Sequence, residues 1–177
     1  MSRLSLDLLA QAGMLARREP RKPKEASLRR SISTSYYALF HYLIEESARL
    51  TVGAANDRSS FRDFAGRAFV HGKMKNACEE LAKTQPRSEL LNAFWPRLNV
   101  TACADIRTVA ENFIDLQEQR HAADYDLSRS FKRHDARRAF EQAQEAIDAW
   151  KRVRTQQPDI SFLFALSLML WPGLGSR

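Results

Sequence analysis

Apolar residues recur at three- and four-residue spacing along most of this chain, and the breaks in that rhythm divide it into helices. Leu4, Leu8, Ala12 and Leu15 share one face, which predicts a first helix over about residues 4–17, stopping before Pro20. Pro20 and Pro23 make residues 19–24 a stiff connector. A second and longest helix, about residues 25–50, carries its core stripe on Ile32, Tyr36, Leu39, Phe40, Leu43, Ser47 and Leu50. Gly53 to Asn56 ends it.

Ser59 or Ser60 caps a third predicted helix with Phe61, Phe64, Ala68 and Phe69 inward. Gly72 interrupts it, and helix resumes from Lys73 to Lys83. Pro86 breaks the pattern, and a short segment at Leu90 to Phe94 ends at Pro96. Thr101 opens a helix that buries Ile106, Val109, Ala110, Phe113 and Leu116. Residues 126–131 form a turn. A closing helix over about residues 132–155 then faces Ala136, Ala139, Phe140, Ala143, Ala146, Ile147, Trp150 and Val153 inward. With no strand of useful length, no repeat and no low-complexity stretch, the expected fold is all-α: an antiparallel bundle of about five to seven helices in a single domain spanning residues 1–177.

Composition supports an ordinary globular core: 44% of residues are hydrophobic, with six glycines and six prolines. Cys78 and Cys103 have no neighbouring histidine or cysteine cluster. They predict buried thiols of a reducing cytoplasm rather than a disulfide framework or a zinc site. The first residues lack the basic stretch and long apolar run of a signal peptide. The apolar run ISFLFALSLMLW, Ile160 to Trp171, is shorter than the ~20 residues of a spanning helix. Segment 158–172 is therefore expected as a helix or strand laid on the bundle or against a second copy, or as a peripheral membrane contact, without stable membrane insertion.

A net charge of +7 with a pI near 9.8 favours an acidic partner, nucleic acid first. The basic residues gather in Arg17 to Arg30, Arg129 to Arg138 and Lys151 to Arg154. Such runs form either a binding face or a solvated helix surface.

Two stretches carry candidate chemistry. On the second helix, Arg30, Ser33 or Thr34, Tyr37 and His41 make a polar stripe beside the apolar one. It reads either as amphipathic core residues with satisfied polar tips or as one wall of a groove. On the late helix, QEQRHAADYD (Gln117 to Asp126) gathers Arg120, His121, Asp124 and Tyr125 at the helix end. Arg120 continues the inward line seven residues after Phe113, so its guanidinium must be paired or face a groove. One reading is an Arg120–Asp124 ion pair that fixes the helix end, with Tyr125 hydrogen-bonded nearby. The other offers Arg120's planar, permanently charged fork to a phosphate.

The early helix with YYALFH, the late RHAADYD motif and the closing alanine-rich helix together resemble the HEPN (higher eukaryotes and prokaryotes nucleotide-binding) family over most of the chain. The resemblance implies a dimeric helical protein that binds, and in its nuclease branch cleaves, RNA without metal, in a toxin, stress or phage-defence setting. The nucleases carry an arginine followed after four to six residues by a histidine, because 2′-hydroxyl attack needs a base and the pentavalent phosphorus needs a cation. Here the corresponding residue is Tyr125, while His121 lies next to Arg120, about a quarter-turn away. His121 supplies the base if the helix unwinds there; otherwise His41 is the neighbour able to do so. On this resemblance Arg120, His121, Asp124 and Tyr125 are the catalytic candidates, and Arg30, Tyr37 and His41 the substrate-binding ones. A motif tyrosine also resembles HEPN variants paired with nucleotidyltransferases, which would make Tyr125 a modification acceptor and imply a nucleotidyltransferase or antitoxin partner. The alternative from another class is a non-catalytic interaction module.

The other histidines read structurally: His71, beside Gly72, as a helix end, and His134 as surface. No histidine pair stands at metal-ligand spacing with carboxylates, and there is no glycine-rich phosphate loop, GxSxG elbow or cysteine beside a histidine. No metal or cofactor is expected.

Overall fold

The computed structural model describes residues 3–19, 21–83, 96 and 100–171, with backbone alone at 100–103. The Pro86 break and the segment at Leu90 to Phe94 lie outside the described residues. Those described contain seven α-helices and no strand, a helical bundle. They are α1 (Arg3–Arg17), α2 (Glu25–Val52), α3 (Ser59–Gly66), α4 (His71–Leu81), α5 (Val100–Tyr125), α6 (Arg133–Gln156) and α7 (Pro158–Leu170), with a 3₁₀ turn at Asn56–Arg58 before α3. The chain clusters into two compact units, Met1–Tyr42 with Asn112–Ile147 and Leu43–Glu111 with Asp148–Arg177, so α2, α5 and α6 each contribute to both.

In the first unit, α2 is enclosed almost all round. Every residue from Ser31 to Phe40 is buried except Tyr37. The enclosure is possible because small hydroxyl residues allow close approach and satisfy themselves on backbone carbonyls. Ser31 Oγ donates to Ala12 O (2.8 Å) and Ser35 Oγ to Ser31 O (2.9 Å). Ile32, Tyr36 and Leu39 of α2, Phe113 and Leu116 of α5, and Ala139 and Ala143 of α6 are fully buried. α5 runs antiparallel to α6: Asn112 Nδ2 donates to Glu145 Oε2 (3.4 Å), and Gln119 Nε2 to Gln142 Oε1 (2.9 Å).

α1 differs from expectation by one residue. Leu4 is 52% exposed and Leu8 half-buried, whereas Ser5, Leu9, Ala12, Leu15 and Ala16 are buried. Both lines pass through Ala12, and small polar Ser5 gives the true line no apolar start. Phe140 is also half-buried, its ring set against Gly13, where an added Cβ would meet Cε2 at 3.0 Å.

In the second unit, α2 ends at Gly53, which takes φ +100° and donates its N–H to Arg49 O (2.9 Å). Arg58 and Arg62 close that helix end, donating to Val52 O (2.8 Å), Gly53 O (2.8 Å) and Ala55 O (2.7 Å). The expected inward face of α3 is overturned: Phe61 and Phe64 are 67% and 75% exposed, Ala68 is exposed, and only Phe69 beyond the helix is buried. The break falls at residues 67–70, so His71 starts α4 rather than ending a helix, and Gly72 sits in its first turn. Leu50 is half-buried. Cys78 is buried, and Cys103's side chain lies outside the described residues.

The terminal apolar run is helical. Pro158 begins α7 at a position where its missing N–H costs nothing. α7 buries Ile160, Phe164, Ala165 and Leu168, packs on α4, and sets Phe164 5.1 Å from the Trp150 ring. No helix among the described residues is long and apolar enough to cross a membrane.

Candidate functional site

The site lies in the first unit, where α2 and the last turns of α5 run antiparallel. α5 remains helical through Tyr125, and Asp126 N still donates to Ala122 O (3.1 Å). Its C-terminal end is held from α2 by Arg29, which donates from Nη1 to Ala123 O (2.9 Å) and from Nη2 to Asp126 O (3.0 Å) and Arg129 O. A guanidinium there satisfies orphan carbonyls and the negative end of the helix dipole. Glu25 holds Arg29 Nε (3.0 Å) and accepts the Phe131 N–H (3.1 Å), fixing the outgoing turn. Asp126 Oδ1 accepts from Ser128 N (3.0 Å) and Oγ (2.6 Å); these bonds hold its carboxyl below the usual carboxylate range.

This register brings Arg120 against α2. Its Nη2 donates to the Tyr37 hydroxyl (2.7 Å), and its Nε lies 2.9 Å from Asp124 Oδ2, whose carboxylate also accepts from Ser33 Oγ (3.2 Å). The Arg120–Asp124 contact is an ion pair without hydrogen-bond alignment at Nε. Three tyrosine rings surround the cation, their centroids 6.0 Å (Tyr36), 5.4 Å (Tyr37) and 5.5 Å (Tyr125) from Cζ. Burial alone lowers the Arg120 pKa, but the Tyr37 hydrogen bond, with Tyr37, Asp124 and Tyr125 nearby, raises it above its ordinary value. The cation is permanent. Its Nη1 has no acceptor among the described residues, and the side chain is 20% accessible.

The structure therefore unites four of the expected residues, Arg120, Asp124, Tyr125 and Tyr37. His41 stacks on Tyr37 one turn on (6.3 Å, 29°) and meets Phe40 edge-on (5.4 Å), and burial lowers its pKa so that it is neutral at pH 7. His121 is exposed, its ring 5.0 Å from that of Tyr125. The helix does not unwind at His121, so that route to the site is closed: α5's hydrogen-bond ladder keeps the imidazole a quarter-turn from Arg120. Nor is Tyr125 hydrogen-bonded; its hydroxyl has no partner among the described residues.

Arg30 is exposed and makes no hydrogen bond or ion pair among the described residues. The arginine that reaches the motif is Arg29. The signal for it was available: Glu25, Arg29, Ser33, Tyr37 and His41 stand four residues apart throughout. Two further residues were missed: Tyr36, whose ring faces the cation, and Gln117, one turn before His121, whose buried Oε1 has no hydrogen-bond partner among the described residues.

Asp115, Glu118, Gln119, Arg129, Phe131, Asp135 and Arg138 line a groove of about 280 Å³ in the same unit. Its three carboxylates outnumber its two arginines, so it does not suit an anion. No group of residues among those described could hold a metal ion. Comparison with protein-family models, with curated proteins and with solved structures finds no match.

Proposed function

We propose that this chain is a HEPN-like RNA-binding protein in which Arg120 contacts a backbone phosphate. The observation that carries the reading is the state of that guanidinium: oriented by Tyr37 and Asp124, wedged among tyrosine rings, and left with an Nη1 that no described residue engages. A planar fork held in one orientation meets phosphate at little entropic cost. The net charge of +7 supports the same partner through counterion release. Cleavage additionally needs a base, and neutral His41, one turn from Tyr37, is better placed than His121 on the outside of α5. The resemblance adds a homodimer in a toxin, stress or phage-defence setting.

Fluorescence anisotropy with labelled cellular RNA at several salt concentrations tests binding. Arg120→Ala should abolish it and Arg120→Lys weaken it, with folding checked by circular dichroism. Undiminished binding by a folded Arg120→Ala protein sinks the proposal. Incubation with RNA in EDTA, beside Arg120→Ala, His121→Ala and His41→Ala, separates cleavage from binding.

A second reading is favoured by one observation: Tyr125 is 63% exposed with its hydroxyl unengaged among the described residues, as an acceptor of a nucleotidyl group must be. An intact-mass shift of one nucleotide on natively expressed protein, absent from Tyr125→Phe, supports it. An unshifted mass excludes it.

A further inference from the structure

Tyr125 is a large ring left in solvent at the last residue of α5, and its surroundings are not those of a stray surface side chain. One side of the ring is met by the Arg120 guanidinium at 5.5 Å and another by the exposed His121 imidazole, tilted by 52°. These contacts limit the ring's orientations while 63% of the residue stays accessible. The Arg29 clamp on Ala123 and Asp126 carbonyls fixes the backbone on either side of it. An oriented ring of a residue 63% accessible, beside a cation whose Nη1 no described residue engages, is complementary to a flat heteroaromatic ring linked to an anion.

We infer that Tyr125 is a stacking platform for an unpaired base, so that the ligand is single-stranded RNA, with the base on Tyr125 and its neighbouring phosphate on Arg120. The inference rests on the RNA reading above and narrows it to strand state. Every base offers a π-face, so the platform selects unpaired from paired nucleotides rather than one sequence from another. Bases inside an A-form helix are stacked on each other and cannot lie on Tyr125.

The test is anisotropy with a short end-labelled RNA, as a single strand, as the annealed duplex, and as a single strand carrying abasic positions. Each is measured in EDTA with wild type, Tyr125→Phe, Tyr125→Ala and Arg120→Ala. Tyr125 is exposed, so its variants should melt like the wild type. The expected pattern is single strand bound more tightly than duplex, Tyr125→Phe close to wild type, and Tyr125→Ala about tenfold weaker on the single strand only. Abasic positions should reproduce the loss in the wild type. Binding that needs Arg120 but is indifferent to Tyr125→Ala, or that treats duplex and single strand alike, overturns this inference and leaves the phosphate contact standing. No binding of either form by the wild type overturns both.

Discussion

Removing one oxygen atom, with Tyr37→Phe, isolates the contact that orients Arg120. The substitution keeps the ring at 5.4 Å from the cation and deletes the hydroxyl that accepts from Nη2 at 2.7 Å. A hydrogen bond to a charged group contributes about 1.5–3 kcal/mol. Arg120's side chain is 20% accessible, so water partly replaces the lost partner and the low end, about 1.5 kcal/mol, is expected. Arg120→Ala should cost more, about 2–3 kcal/mol, since it also removes the packing among three rings and the Asp124 pair, itself worth about 1 kcal/mol. Asp124 keeps its Ser33 bond and is 26% accessible, so it is not stranded as a buried lone charge. Once Arg120 has been replaced by alanine, Tyr37→Phe should cost less than in the wild type, the difference giving a coupling of about 1–1.5 kcal/mol in a double-mutant cycle. Urea unfolding followed by far-ultraviolet circular dichroism measures it. A coupling below about 0.3 kcal/mol, within the usual error of additivity, refutes the view that the Tyr37 hydroxyl holds the guanidinium.

His41, with its pKa lowered by burial, binds fewer protons folded than unfolded just below pH 6.5; stability should therefore fall as pH drops from about 6.5 toward the folded value. Its NMR titration midpoint should lie below 6.5, and His41→Phe should flatten that slope. Asp126, whose pKa is depressed by the Ser128 bonds, contributes stability that is present above about pH 4 and fades as pH falls through its lower folded value. Asp126→Ala should remove this acid-side dependence from the unfolding curve. Phe61→Ser and Phe64→Ser should leave the melting temperature within about 1–2 °C, as surface changes do; a large fall would mean that α3 is packed against something. Trp150→Ala should cost about 3–5 kcal/mol by cavity formation, and Trp150→Phe clearly less, because Nε1 has no hydrogen-bond partner among the described residues to lose.

How much of this was legible in the sequence differs by element. α2, α5 and α6 were readable because their inward positions are large or alanine-rich over many turns, and a long periodic signal outweighs single misplacements. α3 was not, because eight residues hold only two turns, and a Phe–Phe pair one turn apart reads as a core face whether or not anything covers it. The start of α1 went wrong through a buried serine. At the site, the i, i+4 relation predicted the Arg120–Asp124 pair correctly, because it depends only on α5 being helical. The Tyr37 contact was suggested by the stripe but needed the α2–α5 register to become definite. Arg30 was preferred to Arg29 since both fit the stripe within about 100°, and only the position of α5's carbonyls decides between them.

Arg29 reaches across 94 residues of sequence to hold Ala123 O, and Glu25 across 106 to hold the N–H of Phe131. The ten-residue motif is therefore not portable. A peptide carrying QEQRHAADYD, or the same letters grafted onto another helix end, would have its unpaired carbonyls met by water, and its tyrosine and arginine would wander independently. A sequence scan that scores the motif alone will accept such strings; pairing it with Glu25, Arg29, Ser33 and Tyr37 at four-residue steps gives a far more discriminating signature for finding chains that work the same way.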